Sequence, residues 1–121
     1  MPNSKEHIEQ AKHNMNLFLH LTSCEFKDRC KDWQVTILFY TALHAIHSAI
    51  APKELHFKSH VELIKYISTD KTISIFASNY QTLYNISRQA RYDCTVMSDG
   101  DVEIAKTRAD NIYRQLVENS N

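Results

Sequence analysis

Arg88, Gln89, Ala90, Arg91, Tyr92 and Asp93 place two guanidiniums, a phenol and a carboxylate within six consecutive residues. A guanidinium is a rigid planar fork that matches phosphate or carboxylate, so two of them within one helical turn can hold an anion. Tyr84 stands one turn before Arg88, Tyr80 one turn before Tyr84, and Tyr92 one turn after Arg88. Aromatic rings interleaved with arginines in this way suit stacked bases beside bound phosphate, although a tyrosine stripe in a small bundle is more often core and rim packing. Asp93 can pair with Arg88 or Arg91 and help to end their helix. As a proton-transfer group it is poor, because an exposed carboxylate is ionised at neutral pH and repels phosphate.

Histidines are the other residues with chemistry to offer. His44 and His47 are three apart and share one stripe of a helix, while His56 and His60 flank the start of a later helix. Imidazoles serve as proton shuttles or zinc ligands, but His-x-x-His without a carboxylate at ligand spacing is a weak metal signal. The plain role of His44 is a core-edge histidine bonded to a carbonyl or a tyrosine hydroxyl, and that of His60 is the first turn of a capped helix. His7, His13 and His20 are expected to be exposed. No metal and no cofactor are implied.

The elements that must position these groups are helices. Glycine occurs once and proline twice in 121 residues, which removes the usual punctuation of strands, and apolar residues recur at three-four spacing. The first helix is expected over about 4–21, behind a capping box of Asn3 and Glu6, with Ile8, Ala11, Met15, Phe18 and Thr22 on its seam. A second helix over about 26–50 carries Val35, Leu38, Phe39, Ala42, Ile46 and Ala49 on one stripe and Trp33, Ile37, Tyr40, His44 and His47 on another. Two apolar stripes mark a central helix. Pro52 stops it, and 51–58 is a connection. A short third helix starts from a capping box at Ser59 and Glu62 and runs through Ile67. A fourth over about 70–92 has Ile73, Phe76, Tyr80, Leu83, Ser87 and Ala90 inward, with Arg88 on the flanking stripe. A fifth over about 101–118 follows the capping signature of Ser98 and Asp101. Short links between long amphipathic helices predict one all-α domain, an antiparallel four-helix up-and-down bundle with a short additional helix.

Composition narrows the function. Lys and Arg number 14, as do Asp and Glu, so polyanion binding has to be local rather than driven by net charge. Three cysteines without a Cys-x-x-Cys pair speak against a disulfide framework or a thiolate zinc site. A polar N-terminal stretch, and no apolar run near the ~20 residues of a membrane span, predict a cytoplasmic protein with no membrane partner.

Asp32-Trp33, then Leu38 through His47, resembles the second helix of HEPN domains. Ser59-His60, the Tyr-x-x-Leu helix ending in Ser87 through Tyr92, and an alanine-containing last helix follow in the same order. The resemblance spans about residues 30–118. It implies a HEPN-like bundle, a homodimer, and a role in a toxin-antitoxin or defence system. RNA or a nucleotide is the implied ligand, and a nucleotidyltransferase-type antitoxin the implied partner. Many such domains are metal-independent endoribonucleases that use an Arg, four to six residues, then a His. Here Arg88 is followed, after four intervening residues, by Asp93, and no histidine occurs further along the chain. The site implied is therefore Arg88 and Arg91 for phosphate, Tyr84 and Tyr92 beside it, Asp93 in place of the catalytic imidazole, and His44, His47 and His60 as accessories. Binding fits this set better than cleavage. A dimeric interaction module, with arginine and tyrosine as interface anchors, is the alternative.

Overall fold

The structure, a computed structural model, describes residues 2–55 and 57–119. Among these there is no strand. Helix α1 spans Ser4–Ser23, α2 Lys31–Ile50, α3 His60–Thr69, α4 Ala77–Tyr92 and α5 Asp99–Tyr113, whose last turn widens into π geometry over Arg114–Glu118.

Side chains at the helix ends explain where each begins. Asn3 accepts the Glu6 N–H at 2.9 Å while its own N–H donates to the Glu6 carboxylate at 3.1 Å, so the first capping box is complete. Ser98 and Asp101 form a second complete box, and α5 consequently starts at Asp99, two residues earlier than the periodicity suggests. At α3 only half of the expected box is present. Ser59 accepts the Glu62 N–H at 3.2 Å, but the Glu62 carboxylate turns to the Lys58 N–H instead.

Two starts differ more. Expected from residue 26, α2 begins at Lys31 after a separate 3-10 turn at Lys27–Arg29. The Gln34 side-chain amide donates to the Leu21 and Lys27 carbonyls at 3.1 and 2.9 Å, tying the loop into a compact turn. Expected from about 70, α4 begins at Ala77. Asp70 accepts from the Thr72 N–H and hydroxyl at 2.9 and 2.6 Å, from Tyr66 Oη and from Lys53 Nζ, which holds a turn where a helix was expected. At its other end α4 is closed by Cys94 in the left-handed region, φ 54°, with the Thr95 N–H returning to the Gln89 carbonyl at 3.3 Å. The arginine segment therefore occupies the last two turns of a terminated helix.

Helix α2 is the centre of the bundle and packs against α1, α4 and α5, while α3 lies against α4. Val35, Leu38, Phe39, Ala42, Ala45, Ile46 and Ile50 of α2 are buried together with Ala11, Met15 and Phe18 of α1 and Ala105, Ala109 and Ile112 of α5. The second stripe of α2 is a rim rather than core: Ile37, Tyr40, His44 and His47 are half-buried, and Trp33 at its head is 62% exposed. Lys31–Lys53 is, by length and composition, apolar enough to cross a membrane, which amends the expectation that no stretch is. More than half of its apolar window is buried inside the protein, as a central helix requires.

Candidate anion-binding site

Ser87 is fully buried and fixes the rotation of α4, so that Arg91 and, farther out, Arg88 fall on one flank of the core seam, both over Tyr92. Arg91 is the more embedded. Its Nε donates to the Ser87 carbonyl at 3.3 Å and its Nη2 to Ser87 Oγ at 3.2 Å. Its Nη1 donates to Tyr40 Oη at 3.1 Å and to Tyr92 Oη at 3.4 Å. The guanidinium carbon lies 4.9 Å from the ring centre of Tyr92, 5.4 Å from that of Phe39 and 5.6 Å from that of Tyr40. Aromatic faces carry negative quadrupole, so this cage holds the cation without discharging it.

Arg88 is exposed. Its Nη1 donates to Tyr84 Oη at 3.4 Å, and its guanidinium sits 5.4 Å from the ring centre of Tyr92 and 5.9 Å from that of Tyr84. The bond to Tyr84, followed by more distant charges including Asp93, raises its pKa further. Among the described residues the ion pairs all involve lysine: Lys31 with Asp99, Lys53 with Asp70, and Lys106 with Asp110. The expected salt bridge from Arg88 or Arg91 to Asp93 is therefore absent. Asp93 is exposed at the end of α4 and makes no hydrogen bond among the described residues. Two guanidiniums thus stand over tyrosine rings with no carboxylate in ion-pair contact among the described residues, Asp93 acting on Arg88 only at longer range.

An imidazole joins them from another helix. His60, in the first turn of α3, places Nδ1 2.9 Å from Tyr80 Oη, and its ring lies 4.7 Å from that of Tyr84 and 5.4 Å from that of Phe39. Burial lowers its pKa, and the nearby Arg91 and Arg88 lower it further, so it is neutral at pH 7. Tyr80, considered for base stacking, is instead fully buried, where it props His60. Its phenol pKa is raised by that burial.

His44 and His47 of α2 gather around His7 of α1, with His47 also neighbouring His60. His44 bonds neither a carbonyl nor a tyrosine: its Nδ1 faces the Nδ1 of His7 at 3.0 Å. His47 stacks on His7 with ring centres 5.2 Å apart. His7, expected to be exposed, is buried against both. The spacing of 7, 11, 15 and 18 along the α1 seam could have placed it there. Burial, then the neighbouring imidazoles His7, His44 and His60, pushes His47 down to about 4. His13 and His20 are exposed as expected, and His56 lies outside the described residues. No group of three or more His, Cys, Asp or Glu side chains among the described residues is arranged to hold a metal ion. Tyr40, a principal partner of Arg91 from 51 residues away, carried no sequence signal for that role.

Comparison with protein-family models, curated proteins and solved structures gives no match for this chain.

Proposed function

We propose that this protein is a HEPN-like antiparallel four-helix bundle that binds the phosphate of RNA or of a nucleotide at Arg88 and Arg91, acting as a homodimer in a cytoplasmic toxin-antitoxin or defence system. One observation carries the reading: two guanidiniums lie over tyrosine rings, without an ion-pair partner among the described residues, near the His60 imidazole. In a chain with balanced charge, this local excess is what a phosphate would find. Arg91 supplies a pre-positioned charge, Arg88 an adaptable one, and the exposed Tyr92 a ring for a base.

His60 bears on activity. An unprotonated imidazole can accept a proton beside phosphate held by the arginines, and His60 lies near both of them, whereas Asp93 forms no ion pair with either among the described residues. The test is RNA binding and RNA cleavage by the purified protein beside Arg88→Ala. Binding that falls in the variant supports the reading, and cleavage lost in both Arg88→Ala and His60→Ala extends it to a ribonuclease. Unchanged binding in Arg88→Ala removes Arg88 from function. A second reading, an interaction module, is favoured by the exposure of Trp33 and Tyr92, both 62%. A protein that binds no RNA or nucleotide, yet loses self-association in Trp33→Ala or Tyr92→Ala, fits that reading instead.

A further inference from the structure

His60 has neighbours of two kinds. On one side are Tyr84 and, one hydrogen bond beyond it, Arg88. On the other, His60 lines a cavity of about 160 Å³ whose apolar walls are Leu43, Phe57 and Leu63. Pockets that enclose whole drug-sized ligands begin at about 300 Å³. At about 30 Å³ for each water, this one has the room of about five waters, enough for a single flat heterocycle and too little for a complete nucleotide.

The polar lining is suited to an uncharged ring. His47 and His60 both face the cavity, and both have pKa values lowered chiefly by burial, to about 4 for His47. At His60, Nδ1 is engaged by Tyr80 Oη, so Nε2 is the nitrogen left for a ligand, while an unprotonated His47 carries one N–H and one lone pair. Ser59 adds a hydroxyl whose oxygen already accepts the Glu62 N–H, which leaves its own hydrogen to donate. Exposed Lys58 is the charged member of the lining, and no carboxylate faces in among the described residues. Neutral donors and acceptors over an apolar floor therefore lie on one side of His60, and the two guanidiniums on the other. A ligand with a planar, neutral, hydrogen-bonding end and an anionic end fits both.

We propose that the cavity is a base subsite: a nucleotide unit sets its nucleobase against Leu43, Phe57 and Leu63 within reach of His47 and His60, with its phosphate at Arg88 and Arg91. This rests on the phosphate-binding reading of the arginine pair. His60, which lines the cavity, and Tyr84, which bonds Arg88, link the two ends.

The experiment titrates the full chain with inorganic phosphate, ribose 5-phosphate, AMP, CMP and a single-stranded RNA tetranucleotide, using calorimetry and amide chemical shifts. At least one mononucleotide is expected to bind about tenfold or more tightly than ribose 5-phosphate, with shifts at Leu43, Phe57 and Leu63 that phosphate does not cause. Leu43→Phe, which fills the cavity, is expected to abolish that preference and keep phosphate affinity. If Leu43→Phe does not fold, the wild-type shift map decides alone. Equal affinity for mononucleotide and ribose 5-phosphate, without shifts at the cavity, overturns the base subsite and leaves the arginine reading standing. No binding of any of the five overturns both. Tetranucleotide binding far above that of either mononucleotide assigns the unit to RNA, and similar affinities assign it to the free nucleotide.

Discussion

Arg91 and Arg88 divide labour by burial. Four hydrogen bonds and three rings hold Arg91 in place, whereas Arg88 is exposed and, among the described residues, bonds only to Tyr84. Arg91→Ala is therefore expected to weaken phosphate binding and also to destabilise the fold by about 1–3 kcal/mol, since it removes a hydrogen-bond partner from Tyr40 and Ser87 and a cation from the rings of Phe39, Tyr40 and Tyr92. Urea unfolding checks the second effect. The histidines make a pH prediction. Their folded pKa values are lowered from 6.5, so the unfolded chain binds more protons below that pH. Stability is complete above about 6.5 and falls as the pH drops toward about 4, the folded value of His47. A urea midpoint lower at pH 5 than at pH 8, with a smaller difference in His47→Gln, is the expected result. Equal midpoints would argue against the His7, His44 and His47 cluster.

Much of each helix was legible because its signals are local. The Asn3 and Ser98 caps, the seam of α1 and the burial of Tyr80, Leu83 and Ser87 in α4 follow from residues three or four apart. The starts of α2 and α4 were not legible, since Gln34 and Asp70 use side chains to hold backbone groups in turns that periodicity does not register. The end of α4 depends on a non-glycine residue in the left-handed region. Cys94→Gly is expected to relieve that conformation and stabilise the protein by about 1 kcal/mol, measured as a shift in urea midpoint. A destabilised variant would show that the Cys94 side chain contributes more than its backbone strain costs. The site was partly legible: Arg88, Arg91, Tyr84 and Tyr92 are together as their spacing implies. Their link to Tyr40 and His60 was not, because those residues meet them only once α2, α3 and α4 pack.

For the bundle as a whole, Phe39 joins core and site. It is fully buried on α2, with its ring against Tyr40, His60, Tyr80 and Tyr84 and beneath the Arg91 guanidinium. Phe39→Ala is expected to cost about 3–5 kcal/mol in chemical denaturation, because the cavity left behind adds to the lost burial. Phe39→Leu should recover most of the stability but not the ring contacts, and so should still weaken ligand binding. All of this depends on the arginine pair presenting charge outward from a chain with none in excess. The most direct test is the salt dependence of single-stranded RNA binding, read by fluorescence anisotropy for the wild-type protein and Arg88→Ala. The account predicts binding that weakens linearly on a log-log plot. It also predicts about a tenfold loss in Arg88→Ala, with a slope shallower by about 0.7 for one lost phosphate contact. Identical affinity and slope in the two proteins would contradict it.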